Sequence, residues 1–146
     1  MSSITIIADD LGKFAVKVEN MAHNQDKIQR AVNKSGLSIE TQAKSNLTAN
    51  GSVKTGHLRR STQAKFGKLE ATIHTSNVKY APWVEKGTGS HIIRPKRKKA
   101  LYWKGARHPV RSVNHPGSKA KPFLIPAFEQ EKPKFIQNLK EAIKWD

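Results

Sequence analysis

With 146 residues and no cysteine, the chain has the length of one domain and can hold no disulfide, thiolate nucleophile or cysteine-type zinc site. Its 27 Lys+Arg against 11 Asp+Glu leave a formal net charge of +16, which suits a polyanion or an acidic protein partner. A hydrophobic fraction of 36% and a mean hydropathy of −0.65 point to a thin core that neighbouring subunits would help to complete.

No stretch is apolar and long enough to span a bilayer, and the start MSSITIIADDLGKF lacks the basic and then apolar regions of a signal peptide. A soluble, unprocessed protein is expected. Ser3 to Ala8 is β-branched at its centre and reads as a short opening strand stopped by Asp9 and Asp10. From about Leu11 the residues Phe14, Val18, Met21, Ile28 and Val32 fall on one helical stripe, which continues through Leu37, Ala43 and Leu47. Asp10 is the expected N-cap, Gly36 a weak point in one long helix, and Lys13, Lys17, Asn24, Lys27, Lys34 and Lys44 its solvated side. Asn50-Gly51 and Thr55-Gly56 end the helix in a loop. Ser61 to Phe66 and Leu69 to Ser76 then form a hairpin about Gly67-Lys68, with Ala71, Ile73 and Thr75 facing the helix.

Pro82 favours a helical turn over a central strand for Tyr80 to Glu85. Ile92-Ile93 and Ala100 to Trp103 read as the arms of a second hairpin with PKRKK at its tip. Lys104 to Lys121 shows no period and reads as a long surface loop. A last helix starts near Pro122 and carries Phe123, Leu124, Phe128, Phe135, Leu139 and Ile143, with Pro126 at its first position and Pro133 as a kink or interruption. The fold class expected is α+β: a long N-terminal helix packed on a small, mainly antiparallel sheet, with a C-terminal helix and a long basic loop. One domain is expected over residues 1–146, with an extended basic arm at about 90–121.

Candidate chemistry is sparse. His91, His108 and His115 lack the i,i+4 spacing and carboxylate company of a zinc hydrolase. No Asp or Glu stands between Glu85 and Glu129, so a nuclease centre would have to join Glu85 to distant Asp9, Asp10 or Glu70. Gly87-Thr88-Gly89 lacks the Gly-Lys-Ser/Thr of a phosphate loop and reads as a tight turn. No catalytic residue, metal site or cofactor is expected. Arg94, Lys96, Arg97, Lys98 and Lys99, then Lys104, Arg107 and Arg111, form a strip without acidic counterweight, suited to contact with DNA or a protein partner but not to reading a base sequence. A solvated loop is the plainer account of the same charges. Tyr102 and Trp103 are expected in a core or interface ahead of stacking on bases.

Three phrases stand in order after the amphipathic helix: TGHLRRS (Thr55 to Ser61), YAPWVEKGTG (Tyr80 to Gly89) and KPFLIPAF (Lys121 to Phe128). In these the chain resembles the tail-component family of long-tailed phages and prophages, whose members act as neck or tail-completion proteins and carry TG-x-L-R-x-S, YA-x-x-VE-x-GT and P-F-L-x-P-A phrases. The resemblance marks Thr55, Gly56, Leu58, Arg59, Ser61, Tyr80, Ala81, Val84, Glu85, Gly87, Thr88, Pro122, Phe123, Leu124, Pro126 and Ala127 as structural. In physical terms Thr55-Gly56 would turn the chain towards the sheet, Tyr80, Trp83 and Val84 would pack, and Gly87 and Gly89 would permit positive φ. Glu85 would accept backbone amides or pair with Arg59 or Arg60.

The resemblance implies a non-enzymatic virion protein of the head-tail junction, made in the host cytoplasm, forming or touching an oligomeric ring through which DNA passes. Its expected partners are other neck, head-completion or tail proteins, copies of itself and non-specifically bound DNA, with no membrane. The alternatives are a sequence-nonspecific nucleic-acid-binding protein or a small nuclease.

Overall fold

The computed structural model describes residues 4–6 and 25–143. Its elements are β1 (Ile4–Ile6), α1 (Gln25–Ala49), α2 (His57–Ser61), β2 (Thr62–Gly67), β3 (Glu70–Thr75), α3 (Ala81–Lys86), β4 (His91–Ile93), β5 (Val113–His115) and α4 (Leu124–Ile143). The α+β class holds, with a long helix on a small antiparallel sheet and a C-terminal helix. The expected N-cap Asp10 and the stripe and surface residues from Leu11 to Asn24 lie outside the described residues.

Helix α1 runs unbroken through Gly36. Its buried residues Ile28, Ala31, Val32, Ser35, Gly36, Ile39, Ala43 and Leu47 repeat at three and four positions, which draws one broad stripe along the helix. Ile39 and Leu47 are almost wholly buried, worth about 1.5–3 kcal/mol each. Leu37 was expected on this stripe but is 53% exposed: it follows the buried pair Ser35-Gly36, and one further residue turns the side chain outward. The helix ends where Gly51, at φ +67°, lets its amide reach Thr48 O and the Ser52 amide reach Leu47 O, a Schellman closure.

Strand β3 is the centre of a three-stranded sheet of order β1-β3-β2, antiparallel throughout. Ala71, Ile73 and Thr75 are buried, as their alternation requires. The sheet lies against α1, and Gly36 is where the two come closest: a Cβ there would stand 2.8 Å from both Ala71 Cβ and Phe66 Cε1. The hairpin turn is Lys68-Leu69, one residue later than expected. Leu69 holds φ at 56° while Gln29 of α1 brackets the turn, its Oε1 accepting the Leu69 amide (2.7 Å) and its Nε2 donating to Gly67 O (3.0 Å). A contact across 40 residues fixes a turn that local propensity does not select.

Helix α4 packs chiefly along α1 and not on the sheet. The Glu131 carboxylate, buried on α4, accepts the hydroxyls of Ser35 (3.0 Å) and Ser38 (2.7 Å) of α1. Pro126 is the third helical residue, not the first, and Pro133 does not interrupt the helix. Pro133 and Glu129, whose carbonyl loses its donor, are both exposed, so water can serve that carbonyl.

The segment after α3 departs most from expectation. Ile92-Ile93 pairs with Val113 and Asn114, not with Ala100 to Trp103, so the segment read as a loop supplies the returning strand β5. Further out, Leu101 and Val110 exchange backbone hydrogen bonds of 2.8 and 3.0 Å. Between these two pairings the outgoing side carries residues 94–100 and the returning side only Arg111 and Ser112. RPKRKK is therefore a bulge on one side of a two-stranded arm, and the tip is YWKGARHP, Tyr102 to Pro109.

Candidate functional site

Glu85 ties the second and third sequence phrases together. Its side chain is buried at 7% exposure, with Oε2 accepting the amides of Phe123 (2.9 Å) and Leu124 (3.0 Å) and Oε1 that of Ile125 (2.9 Å). These are orphan donors at the start of α4, where a carboxylate is favoured by both hydrogen bonding and the helix dipole. Of the two partners expected for Glu85, the amides are the ones found; Arg60 instead reaches Thr55 O with its guanidinium. With both oxygens engaged in this way, Glu85 serves the frame. Among the described residues no three His, Asp or Glu side chains gather in a metal-binding arrangement.

The same junction carries the base of the arm. The Lys121 amide donates to Val84 O (2.8 Å), and Thr88 and Ser118 exchange backbone hydrogen bonds of 2.9 and 3.0 Å. Gly87, at φ +72°, is required here, since a Cβ would fall 2.6 Å from Ala120 N and from Ser118 O. Gly117, at φ +89°, is tighter still, a Cβ lying 2.1 Å from Thr88 O. Gly89, expected to share that role with Gly87, has no positive φ and open space around it. Two α1 side chains complete the junction: Asn46 Nδ2 donates to Phe123 O (2.9 Å) and Asn50 Nδ2 to Lys121 O (3.2 Å).

The remaining phrase residues divide between core and surface. Leu58, Ala81, Phe123, Leu124 and Ala127 are buried; Ser61 Oγ donates to Leu58 O (2.9 Å). Gly56 takes φ +72° where the chain enters α2. Thr55, Arg59 and Pro122 are exposed, whereas Val84 and Pro126 are half-buried. Tyr80 and Trp83, expected to pack inward, are exposed instead, Trp83 at 57%. They overlook a cleft of about 670 Å³ whose other walls are the Gly51 to Arg59 segment, which runs into α2, and Val84, Ser118, Lys119 and Lys121.

All eight cations singled out in the sequence, Arg94, Lys96, Arg97, Lys98, Lys99, Lys104, Arg107 and Arg111, are exposed on the arm, and among the described residues none meets a carboxylate. The bulge carries five, Lys104 and Arg107 sit at the tip, and Arg111 faces the bulge from the returning side. Tyr102 (68% exposed) and Trp103 stand at the tip, so they belong to no core of this chain. At the arm's inner end His91 and His115 are cross-strand partners with ring centroids 5.1 Å apart.

Sequence reasoning did not find Gln29, Ser35, Ser38, Glu131, Asn46 or Asn50, because each acts on a partner far along the chain. Gly117 carried a local signal in Pro116-Gly117.

The sequence profile of the family described as "Bacteriophage HK97-gp10, putative tail-component" matches residues 9–87, more than half of the chain. The match takes in α1, the first phrase and most of the second, and it stops where the arm begins. No curated protein and no solved structure shows a significant match.

Proposed function

Since the chain belongs to the HK97-gp10-like family of phage tail components, we propose that its place in the virion is the head-tail junction, as a non-enzymatic neck or tail-completion protein that forms or adjoins an oligomeric ring. Residues 1–146 act as one domain from which the segment at about 90–121 reaches a neighbouring ring or the passing DNA.

The observation that carries this reading is the arm. All three residues of β4 are exposed, Ile92 and Ile93 among them, and the tip adds Tyr102 and Trp103. An isolated two-stranded ribbon is marginal in water at best. One that shows large apolar residues on both faces is built to be covered in an assembly. The eight cations, none of them paired with a carboxylate among the described residues, bring affinity for phosphate or for acidic protein without selecting a base sequence.

The test is assembly. Co-expression with the neck and tail proteins encoded beside it, followed by sedimentation and electron microscopy, should give rings or defined complexes. A protein that stays monomeric with every such partner and never enters a virion would sink the proposal.

A further inference from the structure

We propose that the cleft between the Gly51 to Arg59 segment and α3 is a docking site for an acidic peptide segment bearing an aliphatic or aromatic anchor, supplied by another virion protein. This deepens the proposed function and rests on it for the partner's being part of the virion. The cleft is separate from the eight cations of the arm.

Three features of the cleft select that occupant. Its apolar surface, Val53, Leu58, Tyr80, Trp83 and Val84, includes three of the chain's exposed large hydrophobic residues side by side. A concave site of about 670 Å³ with such walls accepts inserted side chains, whereas duplex DNA offers phosphates on a convex surface. The rim is cationic: among the described residues Lys54, Arg59, Lys119 and Lys121 line it, no Asp or Glu does, and none of the four is paired with a carboxylate. That charge repels the cationic arm of a second copy and draws in carboxylates. The hydroxyl of Ser52, a residue of the lining, is buried without a hydrogen-bond partner in the described residues.

The site is also firmly built. The Schellman closure holds the loop at Gly51, and Lys121 is pinned by its amide to Val84 O and by its carbonyl to Asn50. Rigid walls lower the ordering cost on binding.

The experiment uses the full chain and a fluorescein-labelled peptide, Asp-Glu-Leu-Phe-Asp-Glu, in an anisotropy titration at several salt concentrations. Binding is expected to weaken with salt and to fall about tenfold or more in Trp83→Ala and in Lys119→Glu. The control peptide Asp-Glu-Ala-Ala-Asp-Glu should bind about tenfold more weakly, and Lys68→Glu, exposed in the β2–β3 turn and outside both the arm and the cleft, should bind as the parent does. Trp83 and Lys119 are exposed, and circular dichroism verifies that both variants keep the fold.

Absence of binding, or binding indifferent to both cleft variants, overturns the proposal. Displacement of the peptide by duplex DNA in a Trp83-dependent way reassigns the cleft to nucleic acid and overturns it too. Trp83-dependent self-association in the absence of peptide would make a second copy the occupant and would equally overturn it. Ring or virion assembly that proceeds normally with Trp83→Ala defeats this inference alone and leaves the proposed function standing.

Discussion

Glu85 shows how a single carboxylate joins segments that are distant in sequence. It sits on the short helix α3 and caps a helix that begins about 40 residues later, so its removal should be felt in the stability of the whole body. Glu85→Gln keeps the shape but loses the charge and puts an NH2 group where an acceptor is wanted; we expect a loss of about 1–3 kcal/mol in urea unfolding. A midpoint unchanged from the parent would show that the cap is dispensable. Glu40 is a second carboxylate whose surroundings have a measurable sign. Burial works to raise its pKa, but the Lys44 ammonium and the Ala64 amide, with a smaller contribution from His74, outweigh that and hold it below its usual 4.5. A depressed native pKa means that its stabilisation is fully present above 4.5 and disappears as the pH falls through the lower native value. The melting temperatures of the parent and Glu40→Gln should therefore converge on acidification below about pH 4.5, which calorimetry from pH 6 to pH 3 would reveal. A constant difference across that range would refute the assignment.

At the scale of elements, Gly36 carries the clearest conflict between local preference and packing. Replacing it with Ala should gain about 1 kcal/mol of helix propensity. The added methyl, however, would stand 2.8 Å from Ala71 Cβ, which cannot rotate away, even if the exposed Phe66 ring yields. We expect Gly36→Ala to be net destabilising by about 1–3 kcal/mol in thermal or urea unfolding; a stabilised variant would mean that α1 and the sheet can separate freely. The same contrast explains what the sequence disclosed. The buried stripe of α1 and the alternation in β3 were legible because periodicity is a local signal that burial reinforces. The pairing of Ile92-Ile93 was not: β5 is three residues long, lies among Ser, Pro and Gly, and meets β4 across the RPKRKK bulge, which no turn signal announces. Leu69 at positive φ and the Glu131 bridge escaped for the related reason that Gln29, Ser35 and Ser38 act from elsewhere in the chain. Of the candidate site, the cations could be read directly, whereas the outward position of Trp83 and the closing of the cleft by Lys119 and Lys121 depend on tertiary structure.

At the scale of the whole molecule, the cations of the arm are gathered on one projection, and this gives DNA contact a quantitative signature. If the bulge meets phosphates, replacing Arg94, Arg97 and Lys98 with Gln should flatten the log-log dependence of DNA affinity on salt by about 0.9 for each phosphate no longer neutralised. A slope that does not change would remove DNA from the arm's role and leave protein as what it touches. The foot of the arm has a mechanical consequence. Thr88 and Ser118 clasp there, one glycine away from the helix that holds Glu85 and five positions before Phe123, where the capped turn of α4 begins, with Lys121 pinned to Val84 O in between. A tug on the tip during assembly would consequently act like a lever arm and not like a slack tether, delivering its load to the first turn of α4 and, through Asn46 and Asn50, to the end of α1.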